Sequence, residues 1–256
     1  MVELNKIYNE DCLEGMKRIP DGSVDMILCD LPYGTTACSW DTIIPFEPLW
    51  EQYKRVIKDN GAIVLTASQP FTSALVMSRP NFFKHEWVWE KDAGSNFGTV
   101  KYQPMKEHES VLVFGKGRVK YNPIMQERIG SRKGKETTSY DSGRKDSVYG
   151  NMVGIGKFKV GKLRYPRSIQ RFNRERGMHP TQKPVALFEY LIKTYTNEGE
   201  TVLDNCMGSG TTAIACMNTE RNFIGFELDK TYYEKSLERI KEHTTQTDIF
   251  DVLEDN

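Results

Sequence analysis

Over the first 114 positions, short apolar runs alternate with amphipathic stretches. Val24-Asp25-Met26-Ile27-Leu28-Cys29 is an almost continuous apolar run of strand length, and residues 62–66, 85–90 and 110–114 repeat that pattern. Residues 45–58 and 71–78 carry apolar positions at helical spacing, with Gly61 as a stop between helix and strand. Alternation of this kind predicts βαβ units and a parallel or mixed sheet.

The periodicity fails from residue 115 to 178. Glycines recur at 130, 134, 143, 150, 154, 156 and 161 among Lys, Arg and Ser, so no ordered core is expected there without a partner. Beyond it, Pro184 opens a helix whose Leu187, Phe188, Leu191, Ile192 and Tyr195 share one face. A strand at 201–203, a glycine turn, a helix at 211–220, a strand at 222–226 and a helix at 231–242 follow. The acidic tail 248–256 is expected to fray, and no internal repeat is present. The chain therefore divides into 1–114, an insert at 115–178, and 179–256.

With 256 residues and 38% hydrophobic content, the chain suffices for one such domain carrying one insertion. Its apolar runs fall far short of the roughly 18 residues a membrane helix needs, and residues 1–6 lack the features of a signal peptide, so a cytoplasmic protein is expected. Cys12, Cys29, Cys38, Cys206 and Cys216 are odd in number and never spaced as CxxC. They predict neither a disulfide framework nor a metal site, only small buried residues in a reducing compartment. The four histidines form no metal-binding pair.

Net charge is zero, but it is unevenly spread. Residues 115–178 hold 17 Lys/Arg against 5 Asp/Glu, a charge of +12, and the remainder carries −12. A basic block inside an acidic protein is what a phosphate-binding surface looks like in sequence.

Two clusters carry candidate chemistry. Asp204-Asn205-Cys206-Met207-Gly208-Ser209-Gly210-Thr211-Thr212 sets a Gly-x-Gly turn between strand and helix, where a ligand can approach the backbone and meet free N–H groups. Glu227 ends the next strand, where such sheets offer an acid to ribose hydroxyls. On its own this pair also fits an NAD-dependent oxidoreductase; a P-loop is excluded because no Lys-Ser/Thr follows the glycines. Asp30-Leu31-Pro32-Tyr33 ends the strand at 24–29 with an acceptor, a stiff turn and an aromatic. That set suits a planar base: Asp30 and the Leu31 carbonyl accept the two N–H bonds of an exocyclic amine, and Tyr33 stacks on the ring.

Together, Asp30-Leu31-Pro32-Tyr33 and the later glycine turn resemble the DNA amino-methyltransferases in their β-type, permuted order. The resemblance spans about residues 5–242 outside the basic insert. It implies a Rossmann-like, three-layer αβα fold with helices on both faces of one sheet, S-adenosylmethionine as cofactor, DNA as partner, direct methyl transfer to a flipped base, and a homodimer as one form such a chain takes. Adenine N6 is the first expectation and cytosine N4 the alternative; a catalytically silent DNA-binding protein is the rival from another class. No Pro-Cys turn occurs, which argues against C5-cytosine methylation. By the same likeness Asp11 lies near the cofactor adenine, and His179-Pro180-Thr181-Gln182-Lys183-Pro184 brings Thr181 and Lys183 to its methionine end. Asp30, Asp204, Cys206, Gly208, Ser209, Gly210, Thr211, Thr212 and Glu227 complete the expected cofactor set, and Arg164, Arg167, Arg171, Arg174 and Arg176 are the expected DNA contacts. The chain departs from the family pattern at Leu31, Asn205 and Cys206, and Leu31 in place of a proline predicts a less rigid turn.

Overall fold

The computed structural model describes residues 2–35, 38, 41–128, 162–175 and 182–254, with side chains as far as residue 245. It contains two compact units, residues 1–122 with 168–256, and residues 123–167. In the first unit the chain runs β1 (Lys6–Asn9), α1 (Cys12–Met16), β2 (Val24–Asp30), α2 (Phe46–Val56), β3 (Ile57–Ala67), α3 (Phe71–Ser78), β4 (Phe83–Glu90) and β5 (His108–Phe114). The second unit holds β6 (Gln126–Glu127) and β7 (Leu163–Arg164), an antiparallel pair. The chain then returns to the first unit through β8 (Ile169–Arg171), α4 (Val185–Tyr195), β9 (Thr201–Asp204), α5 (Thr211–Asn218), β10 (Asn222–Glu227) and α6 (Lys230–Glu254).

Eight strands form one mixed sheet in the order β1-β10-β9-β2-β3-β5-β4-β8. The five strands from β1 to β3 are mutually parallel, and β5 runs antiparallel to both β3 and β4. β2 is buried along nearly its whole length because both its faces are covered. Ile27 and Cys29 point into a cluster with Leu49, Trp50 and Tyr53 of α2, whereas Met26 and Leu28 point into one with Leu187, Leu191 and Ile192 of α4 and Ala213 and Cys216 of α5. A parallel strand between two helical layers reads as an unbroken apolar run for this reason. Each fully buried Ile, Leu or Met there contributes about 1.5–3 kcal/mol by removal from water.

Several expectations are corrected. Gly61 does not separate helix from strand but lies inside β3, where a Cβ would stand 2.8 Å from the Asp25 carbonyl. β8 comes from the stretch expected to lack order, and it pairs with β4 from Val88↔Ile169 to Glu90↔Arg171. The last helix continues through the acidic tail to Glu254. β1 and α1 were not anticipated, since four and five residues are too short to show a period. Cys38 is exposed and Cys206 half-buried, unlike the buried Cys12, Cys29 and Cys216.

The topology places a crevice at the centre of the sheet. β9 and β2 are neighbours, but the chain leaves β9 into α5 on one face and leaves β2 toward α2 on the other. Where successive connections diverge in this way, the carboxyl ends of the two strands open a cleft that ligands occupy. Asp204 and Asp30 are the residues at those two ends.

Candidate active site

A cleft of ≈ 1400 Å³ opens there, lined by Asp11, Asp30, Leu31, Pro32, Tyr33, Lys183, Asp204, Cys206, Gly208, Ser209, Thr211, Thr212 and Glu227. Residues as remote in the chain as Asp30 and Asp204 thus line one cleft because β2 and β9 pair side by side. Gly210 stands behind this lining with φ +82°, capping α5; a side chain there would be strained and would meet Ser236 at 3.3 Å. Thr181, with His179 and Pro180, lies outside the described residues.

Asp30 is the most heavily contacted group. Its Oδ1 accepts from Tyr33 Oη at 2.7 Å and from the Thr66 hydroxyl, and its Oδ2 from Lys183 Nζ at 2.5 Å. A carboxylate offers about four lone-pair directions, so one on Oδ2 remains for a ligand donor. Thr66 is there because β3 pairs in register with β2, setting Thr66 opposite Asp30. Tyr33 stacks on Phe71 at 5.2 Å, so its ring is held from one side and its hydroxyl is committed to Asp30. Burial and the Asp30 charge push the Tyr33 phenol well above its usual range, keeping it a neutral donor. Leu31 is 3% exposed and packs in the core with Leu49 and Phe71. Beyond Tyr33, the Gly34 and Thr35 N–H groups both donate to Asp41.

Lys183 sits in the second arm of the site, just before α4, between Asp30 and Glu109. Burial alone would lower its pKa, but the two carboxylates outweigh burial and raise it, so the ammonium stays charged. Glu109 is held charged in turn by Lys183 and Lys91 against its own burial.

The glycine turn is organised by side chains that sequence assigned to the ligand. Asp204 accepts from Cys206 N at 3.0 Å and from the Thr212 hydroxyl, so both act first as supports of the turn. Burial pushes the Asp204 carboxyl up to about 7. A carboxyl whose folded pKa exceeds its unfolded value of about 4 contributes stability at acid pH that is lost as pH rises through the folded value. Wild-type protein is therefore expected to lose thermal stability relative to Asp204→Asn between about pH 4 and pH 7. A melting-temperature gap that ignores pH over that window contradicts it.

Glu227 accepts from Gly208 N at 2.7 Å and Asp229 N at 2.8 Å, leaving acceptor capacity on its carboxylate. Burial raises its pKa, opposed by the Asp229, Gly208 and Leu228 N–H groups. Asp11 caps α1 through Oδ1, which accepts from Leu13 N at 2.7 Å. Ser209 and Thr211 are gripped by Arg239 of α6, at 3.1 Å to Ser209 O and 3.1 Å to Thr211 Oγ1. Arg239, Thr66, Glu109 and Lys91 escape sequence reading, since each comes from an element remote in the chain. Only Thr66 had a signal, as the end residue of a strand expected beside β2.

Among the basic residues, Arg174 donates its backbone and side chain to Asp92 at 2.9 and 3.0 Å and lines the cleft, holding the Asp92 carboxyl down at about 2. Arg171 is exposed on β8; Arg167 is exposed and Arg164 half-buried in the smaller unit. Arg176 lies outside the described residues.

A family model described as DNA methylase, of the N6/N4 type, matches residues 24–238. The chain belongs to this family. It is 28% identical over 96% of its length to the type II methyltransferase M.HpaI of Haemophilus parainfluenzae, covering 77% of that protein. It is 27% identical over 93% of its length to the DNA adenine methyltransferase YhdJ of Escherichia coli, covering 83% of it. Among solved structures, the M1.HpyAVI complex with S-adenosylmethionine matches with a TM-score of 0.59 and 26% identity, over 91% of this chain and 98% of that one. The family match replaces the oxidoreductase alternative.

As a DNA methylase the chain uses S-adenosylmethionine, and the residues present fit it. Free acceptor directions on Glu227 suit ribose hydroxyls, and the first N–H groups of α5, which have no intrahelical acceptor, suit a carboxylate. The cofactor supplies an activated methyl group bonded to a sulfonium. The α5 end and Glu227 would hold the cofactor, and the Asp30 turn lines the same cleft. Among the described residues, no helix is long and apolar enough to cross a membrane.

Proposed function

We propose that this DNA methylase transfers the methyl group to N6 of an adenine flipped out of duplex DNA, in the cytoplasm. The observation that carries the reading is the single unclaimed lone pair of Asp30 Oδ2, at the carboxyl end of β2 beside β9 and its glycine turn. It is an acceptor for one N–H of an incoming amine; the Leu31 carbonyl is the acceptor for the other. Accepting both protons turns the nitrogen lone pair toward the cofactor side of the cleft. Anionic Asp30 also favours the positive charge that develops on nitrogen during transfer.

The choice of adenine is supported by aspartate at the first position of the turn and by likeness to a relative named as an adenine methyltransferase. The cleft exceeds the roughly 300–1,000 Å³ typical for one small ligand, leaving room for cofactor and base together. A paired base cannot reach such a cleft, so the base is flipped. The +12 segment supplies cations for the phosphates, with the exposed Arg171 better placed for this than Arg174, whose guanidinium is committed to Asp92.

Purified protein incubated with methyl-labelled S-adenosylmethionine and genomic DNA is expected to move label into nuclease-sensitive material, with binding that weakens steeply as salt rises. Protein that binds the cofactor but leaves DNA unlabelled would overturn the reading in favour of a silent DNA-binding protein.

A further inference from the structure

Four charges alternate in a line leading away from the free lone pair of Asp30. Lys183 Nζ is 2.5 Å from Asp30 Oδ2, Glu109 Oε2 is 3.5 Å from the same ammonium, and Lys91 Nζ pairs with Glu109 Oε1. The Lys183, Lys91 and Glu109 side chains are 5%, 8% and 13% exposed, and all four residues line the cleft. Two anions and two cations sum to zero. The Glu109 oxygen facing Lys183 is buried and receives no hydrogen bond, so what it offers the site is charge rather than a directed contact.

We propose that Glu109 is a positioning residue for methyl transfer, acting through Lys183: it cancels the charge of that ammonium so that the Asp30 end of the cleft accepts a cation forming on the target amine. The inference rests on the amine-methylation reading above. In that step the amine nitrogen forms a bond to the methyl carbon as the carbon–sulfur bond breaks, with the electron pair going to sulfur. The nitrogen carries a positive charge until it gives up one proton to water. With Glu109 present, the buried group is neutral and Asp30 is its nearest member. Without it, two ammonium groups face one carboxylate, and a net charge of +1 stands beside the forming cation. At an effective dielectric of about 20, one unit charge several ångströms away slows transfer by about ten- to a hundredfold.

The test compares single-turnover transfer to DNA at saturating S-adenosylmethionine, with cofactor affinity measured alongside. Glu109→Gln, which keeps shape and loses charge, is expected to transfer about ten- to a hundredfold more slowly while binding cofactor normally. Glu109→Asp is expected to stay near wild type. Adding Lys91→Met to Glu109→Gln leaves the neutral Asp30–Lys183 pair and is expected to recover most of the loss, which a merely structural role for Glu109 would not do. Lys91→Met alone leaves a net charge of −1 and is expected to transfer at least as fast as wild type, which keeps the test open should Glu109→Gln fold poorly. A wild-type rate in Glu109→Gln, a double variant no faster than Glu109→Gln, or a slowed Lys91→Met would overturn the proposal. Wild-type protein that labels no DNA would instead overturn the reading on which it rests.

Discussion

Asp30→Ala is expected to slow methyl transfer by at least about a hundredfold while leaving S-adenosylmethionine affinity close to wild type. Three losses coincide in this variant. The acceptor for the target amine goes, the anion nearest the forming cation goes, and Lys183 keeps its charge with only Glu109 as partner. Tyr33 and Thr66 also lose the oxygen to which they donate, so the turn loosens. On this account the cofactor is held by the glycine turn and Glu227, which form no hydrogen bond to Asp30. Single-turnover kinetics at saturating cofactor check the first part, and calorimetry the second. Near-normal transfer would remove Asp30 from the chemistry; lost cofactor binding would assign it to the cofactor pocket.

Glu227→Ala is expected to have the opposite signature. Loss of hydrogen bonds to a charged acceptor weakens S-adenosylmethionine binding by about 1.5–3 kcal/mol, roughly ten- to a hundred-and-fifty-fold. The structure adds a second route to the same outcome, because Glu227 also holds Gly208 N and Asp229 N, and both groups shape the rim of the pocket. Glu227→Gln keeps one acceptor oxygen and should fall between the two. Transfer measured at saturating cofactor should recover much of the wild-type rate, since the Asp30 turn is intact. Unchanged cofactor affinity in Glu227→Ala would move the ribose site elsewhere.

The order of legibility follows from chain locality. Glycine turns, apolar runs and the Asp30 turn are written in consecutive residues, so the parallel strands other than β1 and both arms of the cleft are readable. What the chain brings together from afar was not. Thr66 faces Asp30 through strand register, Glu109 faces Lys183 across the sheet, and Arg239 reaches back from the last helix to Ser209. β8 was hidden because a three-residue strand embedded among glycines and arginines has no period; its pairing with β4 alone orders it. Roles also shifted where sequence names a residue but not its partner. Asp204 and Thr212, expected on the cofactor, both line the cleft and also bond to each other. Tyr33 was expected only as a stacking face, yet its hydroxyl is one of the groups that fix Asp30.

The most direct measurement is the identity of the methylated nucleoside. DNA incubated with the wild-type protein and S-adenosylmethionine is digested to nucleosides and separated by mass. N6-methyldeoxyadenosine, absent from the Asp30→Ala reaction, is the expected product. N4-methyldeoxycytidine would keep the amine mechanism but contradict the choice of base, and 5-methyldeoxycytidine, or no methylated nucleoside, would contradict the role assigned to Asp30.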